Sequence, residues 1–186
     1  MASVSLSATE RASRVKMMIF DVDGVLTDGG LLFTAEGDTM KAFHSMDGHG
    51  MKLLREAGIE TAIITGRKSG IVAVRAKEMN VAHLYQGVQD KPAAFADLLA
   101  KTGLTAQECG YMGDDWVDLA VMLKVGFAAA PANSHPEVIA RAHWVSEARG
   151  GHGAAREVVD TLLRAQHKYD ALLAAACSGE QRGLVG

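Results

Sequence analysis

Two carboxylates one residue apart close an apolar run in MIFDVDGVLTD, residues 18–28. Side chains of an extended strand alternate, so Asp21 and Asp23 share a face. Like charges that close repel, unless a cation sits beside them or one carboxyl keeps a proton. Either arrangement is chemistry rather than packing. Further polar groups follow at Thr65-Gly66-Arg67, at Lys91 and at Asp114-Asp115, the last pair in GDDWVD with Asp118 one helical turn on. Carboxylate oxygens suit Mg2+, a hard cation that keeps several waters and often binds a substrate phosphate. Asp21 and Asp114 would each supply one oxygen, and the backbone carbonyl of Asp23 a third. Lys91 and the Thr65 hydroxyl would hold the remaining phosphate oxygens. One carboxylate can attack phosphorus; a second can protonate the leaving oxygen and then deprotonate water. Asp21 fits the first role and Asp23 the second. Gly24 would let the backbone approach the phosphate, and Thr27 would brace the loop.

Such residues work together only if the fold delivers them to one place. MMIFDV (17–22), IETAIIT (59–65), HLYQG (83–87), CGYMG (109–113), VGFAAA (125–130) and HWVS (143–146) read as buried strands. Helices are expected over Asp47–Ala57, Ser69–Met79, Asp90–Lys101 and Asp115–Leu123, from about Pro136, and over Gly153 to about Ala176. Asp90 is a plausible N-cap, Pro92 suits the first turn, and Gly58 and Gly103 are stops. Residues 29–43 read as a β-hairpin turning at Ala35-Glu36-Gly37-Asp38. Apolar strands alternating with helices make this an α/β chain, a single Rossmann-like parallel sheet with helices on both faces. Ligands of such sheets bind outside the carboxyl ends of the strands. Asp21, Thr65, Lys91 and Asp114 all fall at or just after such ends.

The chain has 186 residues, 48% hydrophobic and 22% charged, which suits one domain with its own core. Residues 1–14 read as a flexible N-terminal arm, 15–172 as the domain and 173–186 as a mobile tail. A net charge of −3 gives no support to nucleic-acid or anionic-membrane binding. Cys109 and Cys177 are the only cysteines, so no disulfide framework is implied. No apolar run approaches the ~20 residues of a membrane helix, and residues 1–16 lack the apolar stretch of a secretory signal. A cytoplasmic protein is expected.

D-V-D-G-V-L-T, I-I-T-G-R, D-K-P and G-D-D-W-V-D resemble, in order, the four motifs of the haloacid dehalogenase superfamily. The resemblance implies Mg2+-dependent phosphoryl transfer from a small molecule, most often hydrolysis. Many members carry a separate cap domain, but the segments between Asp21, Thr65 and Lys91 leave no room for one. An open site serves a large substrate or is closed by a neighbouring subunit, and the hairpin is a candidate assembly element. FHSMDGHGMKLL (43–54), TGRKS, Arg75, HLYQGVQDK and GGHGAAREVVD are similar to the capless phosphatases of 3-deoxy-D-manno-octulosonate 8-phosphate. That similarity covers residues 15 to about 165. It implies a phosphorylated keto-sugar acid as substrate. It also implies a homotetramer with hairpins at its centre and tails reaching neighbouring sites. By the same resemblance His44, Ser45, Met46, Asp47 and Gly48 would contact substrate with Lys52 beside them. Arg67 and Arg75 would bind its acidic or hydroxyl groups, and Lys91 its phosphate. Guanidinium forks suit a carboxylate. His44 stands where the family has Asn. Phosphatases of nine-carbon sialic or deaminated sialic acid 9-phosphates share this architecture and are the nearest alternative. A receiver domain of a response regulator is the distant one. Its phosphorylated Asp ends the third strand, where this chain has Tyr85-Gln86-Gly87.

Overall fold

The computed structural model describes residues 6–179, apart from the side chains of residues 38 and 39. In chain order the elements are α1 (Ala8–Ala12), β1 (Met17–Phe20), β2 (Leu32–Thr34), β3 (Gly37–Met40), α2 (Ser45–Glu56), β4 (Glu60–Ile64), α3 (Gly70–Glu78) and β5 (His83–Tyr85). There follow α4 (Lys91–Thr102), β6 (Cys109–Met112), α5 (Trp116–Met122), β7 (Phe127–Ala130), α6 (Pro136–Ile139), β8 (Trp144–Val145), α7 (Ala154–Ala165) and α8 (Tyr169–Ser178).

β1 is apolar and buried at all four positions because it runs through the middle of the sheet. β4 and β6 pair with it in parallel on either side. The sheet order is β5-β4-β1-β6-β7-β8, with every pairing parallel. Met18 and Phe20 join the core under α2, α3 and α7, whose contributions include Leu54, Val72 and Leu162. Met17 and Ile19 join the opposite core under α4, α5 and α6, with Phe95, Val121 and Val138. The expected α/β sheet covered on both faces is what forms. After β1 the chain moves outward through β4 to β5, then returns to the other side of β1 as β6. Its direction reverses beside β1, and a crevice opens there.

Local signals set several helix ends. The Asp90 side chain accepts the Ala93 N–H, Pro92 occupies the first turn of α4, and Gly103 closes it at φ 71°. α2 starts at Ser45, ahead of the expected Asp47. β2 and β3 form the expected hairpin, turning at Ala35-Glu36, with Leu32, Phe33 and Met40 exposed.

Two expectations at the chain ends are corrected. Part of the supposed N-terminal arm is the helix α1, started by a capping box between Ser7 and Glu10 and anchored by buried Ala12. Arg11 also donates to the Gly126 carbonyl at 2.9 Å. Residues 1–5 lie outside the described residues. The single helix expected over 153–176 is two, α7 and α8, separated at Gln166–Lys168, where His167 takes the left-handed φ of 57°. Polar side chains hold the break. The Gln166 amide donates to the carbonyls of Ala12 and Val15. Lys168 Nζ donates to the Ala57 carbonyl at 2.6 Å. Residues 173–178 of the supposed mobile tail therefore belong to α8, while 180–186 lie outside the described residues.

α2 packs mainly on α7, with Leu54 fully buried. Leu54→Ala removes that packing and leaves a cavity, so stability should fall by about 2–5 kcal/mol. Urea denaturation should show a lowered midpoint at unchanged slope.

Candidate active site

The carboxyl end of β1 brings Asp21 into a cleft of about 510 Å3. β4 delivers Thr65, Gly66 and Arg67 to the same cleft, the first turn of α4 delivers Lys91, and the turn after β6 delivers Asp114 and Asp115. Asp23 lines it as well. A larger hollow of about 630 Å3 lies at the opposite, amino ends of β4 and β5, lined by Arg55, Glu60 and Lys77 among others. It holds none of the expected site residues.

Lys91 organises the floor of the cleft. Its ammonium lies 2.9 Å from Asp21 Oδ2 and 2.7 Å from Asp118 Oδ1 and is nearly inaccessible to solvent. Burial works against this charge, but the two carboxylates outweigh it and hold Lys91 above its usual range. Asp118 is fully buried and every one of its oxygens is occupied. Oδ1 accepts from Lys91 and from the Tyr111 hydroxyl at 2.6 Å. Oδ2 accepts the backbone N–H groups of Asp114 and Asp115. Asp118 therefore orients the lysine and the Asp114 turn. In the sequence it stands out as the last residue of the GDDWVD motif, and in the structure it is also the capping partner of Asp115; its link to Lys91, 27 residues away, has no local signal.

Asp21, Asp114 and Asp118 each offer an oxygen within 4.8 Å of the others. Asp21 Oδ1 is buried and has no hydrogen-bond partner, a costly condition unless a ligand meets it. Burial, then the charge of Asp118, pushes Asp21 up to about 6 and Asp114 up to about 7. An all-oxygen donor set with an orphaned buried oxygen fits a hard divalent cation. Since Asp118 is fully engaged, Asp21 and Asp114 are the two that would hold it.

The loop after β1 is shaped by close backbone approach. Gly24 has φ +92°, and a Cβ there would sit 2.1 Å from Asp114 Oδ2. The Thr27 hydroxyl accepts from the N–H groups of Gly24 and Gly29, bracing this loop from within. Gly150 and Gly151 press on it from outside. A Cβ on Gly150 would lie 1.8 Å from the Gly24 carbonyl oxygen, and Gly151 N–H donates to the Val25 carbonyl.

The remaining expected residues form a separate group around the amino end of α2. Asp47 is buried, accepts the Arg156 N–H at 2.8 Å, and is raised chiefly by burial. The Arg75 guanidinium lies over the Phe43 ring, pairs with Glu78 at 2.9 Å and donates to the His44 carbonyl at 3.3 Å. It also fills the space a side chain on Gly48 would need. Met46 and Ser45 are exposed, and half-buried Lys52 acts on the charges of His49 and Glu78. None of His44, Ser45, Met46, Asp47, Gly48, Lys52 or Arg75 lines the cleft that holds Asp21. Lys41, which has no motif or spacing signal in the sequence, pairs with Asp23 at 2.5 Å.

No protein-family model matches the chain. The 3-deoxy-D-manno-octulosonate 8-phosphate phosphatase KdsC of Escherichia coli K12 is 44% identical over 167 residues, covering 90% of this chain and 89% of that protein. The chain belongs to the 3-deoxy-D-manno-octulosonate 8-phosphate phosphatase family. A crystal structure of this phosphatase from Moraxella catarrhalis, in complex with a magnesium ion, a phosphate ion and the 3-deoxy-octulosonate sugar acid, matches with a TM-score of 0.87. It is 39% identical, and the match covers 90% of this chain and 97% of that one. A Legionella pneumophila structure described as a subfamily III A hydrolase of the haloacid dehalogenase superfamily also has a TM-score of 0.87. It is 40% identical over 92% of this chain and 94% of that one. The family's superfamily and its parallel-sheet fold are thus those expected from the four motifs.

Burial, with the crowding of the carboxylates second to it, makes the cation-free site pH-dependent. Asp21 and Asp114 have folded values near 6 and 7, against about 3.9 in an unfolded chain. Between those limits the folded state binds more protons. The contribution of this pair to stability is present below about pH 4 and is lost as pH rises through about 7. A divalent cation competes with those protons. The rise in melting temperature on adding Mg2+ to EDTA-treated protein should therefore grow from about pH 5 to about pH 8. An increment independent of pH would show that these carboxylates do not share the cation.

Proposed function

We propose that this protein is a Mg2+-dependent phosphatase that hydrolyses 3-deoxy-D-manno-octulosonate 8-phosphate to the free keto-sugar acid and inorganic phosphate. The observation that carries this reading is Asp21 held by buried Lys91 beside Asp114, in a chain 44% identical to a phosphatase of that name. Asp21 and Asp114, with the Asp23 backbone carbonyl, are the proposed cation ligands. The cation supplies charge neutralisation between an anionic nucleophile and an anionic phosphate.

In our reading an Asp21 carboxylate oxygen attacks phosphorus, giving an aspartyl-phosphate as the bond to the ester oxygen breaks. Asp23 gives that oxygen its proton, then takes a proton from the water that cleaves the aspartyl-phosphate. Two donors of the Lys91 ammonium are spent on Asp21 and Asp118, and the third is free for a phosphate oxygen. The Thr65 hydroxyl and the Gly66 backbone stand across the cleft as further phosphate contacts. Arg67 at its mouth suits the substrate's carboxylate. The His44–Gly48 loop, Lys52 and Arg75 are retained as substrate contacts by family resemblance.

We also propose a homotetramer. Its support is the hairpin, whose Leu31, Leu32, Phe33 and Met40 are all exposed; such ribbons are marginal alone. Among the described residues no helix is long and apolar enough to cross a membrane. A cytoplasmic enzyme of lipopolysaccharide inner-core synthesis accords with the family and with two unpaired cysteines.

The test is phosphate release with Mg2+ from a panel holding the eight-carbon and nine-carbon keto-acid phosphates and sugar phosphates without a carboxylate. The eight-carbon acid should be preferred; equal turnover of all would remove the carboxylate clamp. Asp21→Asn should keep the fold, checked by an unchanged far-UV circular dichroism spectrum, and abolish turnover. Residual activity above about a tenth of wild type would take the nucleophile role from it, since covalent catalysis requires that oxygen. Asp23→Asn should lower turnover by roughly 10²–10⁴, the usual worth of general acid–base catalysis. Hydrolysis that survives EDTA would contradict the cation site.

A further inference from the structure

The two oxygens of Asp23 stand in different surroundings. Lys41, the residue after β3, donates to Oδ1 at 2.5 Å, and its side chain is only 2% exposed. A buried ammonium is tolerated only with a partner, and Asp23 is that partner. Asp23 lines the cleft, and its Oδ2 has Arg67 Nε at 3.6 Å, beyond hydrogen-bonding reach. Arg67 is half exposed, with its guanidinium over the Phe33 ring of the hairpin, so it can move aside. Asp23 thus has one oxygen clamped from the hairpin and one left with only the more distant Arg67.

We propose that Lys41 is the positioning residue of the acid/base: it holds Oδ1 so that Oδ2 carries the transferred proton. This rests on the reading of Asp23 as acid/base given above. An N–H donor on Oδ1 occupies that oxygen and directs a proton to the other. In the first step the bond from Asp21 to phosphorus forms and the phosphorus–ester bond breaks. The ester oxygen keeps the bonding pair and takes the proton from Oδ2. In the second step water attacks phosphorus, its proton passes to Oδ2, and the bond from phosphorus to Asp21 breaks. Lys41 gains and loses nothing in either step. It also ties the hairpin root to the site, so the ribbon has a part in the chemistry within one subunit.

Leaving-group dependence separates this role from a merely structural one. A sugar alkoxide needs a proton as it leaves; 4-nitrophenolate does not. kcat/KM for a sugar phosphate and for 4-nitrophenyl phosphate, both with Mg2+, would be measured on wild type, Asp23→Asn, Lys41→Met and Lys41→Gln. Asp23→Asn should depress the sugar phosphate by about 10²–10⁴ and the aryl phosphate far less. Lys41→Met should show the same split in smaller degree, roughly tenfold or more on the sugar phosphate and under about threefold on the aryl ester. Lys41→Gln, which keeps a donor without the charge, should fall between. The ratio of the two rates in one sample does not depend on how much of the variant is folded. Equal losses on both substrates in the Lys41 variants, or no loss on either, would overturn the proposal. Failure of both variants to fold would assign Lys41 to stability and overturn it as well. A missing split in Asp23→Asn itself would instead remove the acid/base reading on which the proposal stands.

Discussion

Three carboxylates meet where β1 and β6 end, and the ammonium of Lys91 lies between two of them. Without that cation the buried carboxylates of Asp21 and Asp118 would face each other with no positive charge between them. Each partner is fixed from a different element: Asp21 from β1, Asp118 from α5 and Lys91 from the first turn of α4. The contact can form only when the sheet and the helices on its second face have assembled. Because Asp118 also accepts the N–H groups of Asp114 and Asp115, the same interaction sets the turn that presents Asp114 to the cleft. A buried ion pair of this kind is weak evidence for stability. Here it leaves Asp21 with one oxygen paired and one without a partner, a condition suited to a cation or a substrate.

The rest of the fold can be understood as support for that corner. β1 is apolar throughout because both its faces are covered, so the first polar residue the chain can place is at its end. Glycines then let backbones meet where side chains would collide: Gly24 against Asp114, and Gly150 against Gly24. The loop after β1 is consequently pressed between the Asp114 turn and the segment that leads into α7. Burial there raises the protonation ranges of Asp21 and Asp114 together, so binding a cation and losing protons are one event.

The hairpin joins two scales of organisation. Its apolar residues Leu32, Phe33 and Met40 are exposed. At its root, Lys41 points inward to Asp23, and Phe33 lies under the guanidinium of Arg67. An element that reads as an assembly device is therefore also wired to the site of its own subunit.

The sheet, the strand ends and the residues placed on them are legible in the sequence. Those features follow from local rules: apolar runs bury, Asp90 and Gly103 bound α4, and side chains just past parallel strands converge on one crevice. It also showed the four motifs that carry the superfamily. It left illegible whatever depends on contacts between distant segments. The break at His167 is set by Gln166 and Lys168 reaching carbonyls more than 100 residues away in the chain, so the continuous amphipathic pattern was read as one helix. The five residues of α1 are too few to be stable alone; its docking on the core decides it. Lys41 carries no spacing signal, since only the path of the hairpin brings it to Asp23. Nor does any local signal tell that the Arg75 group is missing from the lining of the Asp21 cleft. The physical reason is common to all four: a side chain's partner across the fold is chosen by packing and burial, neither of which is written in the residues beside it.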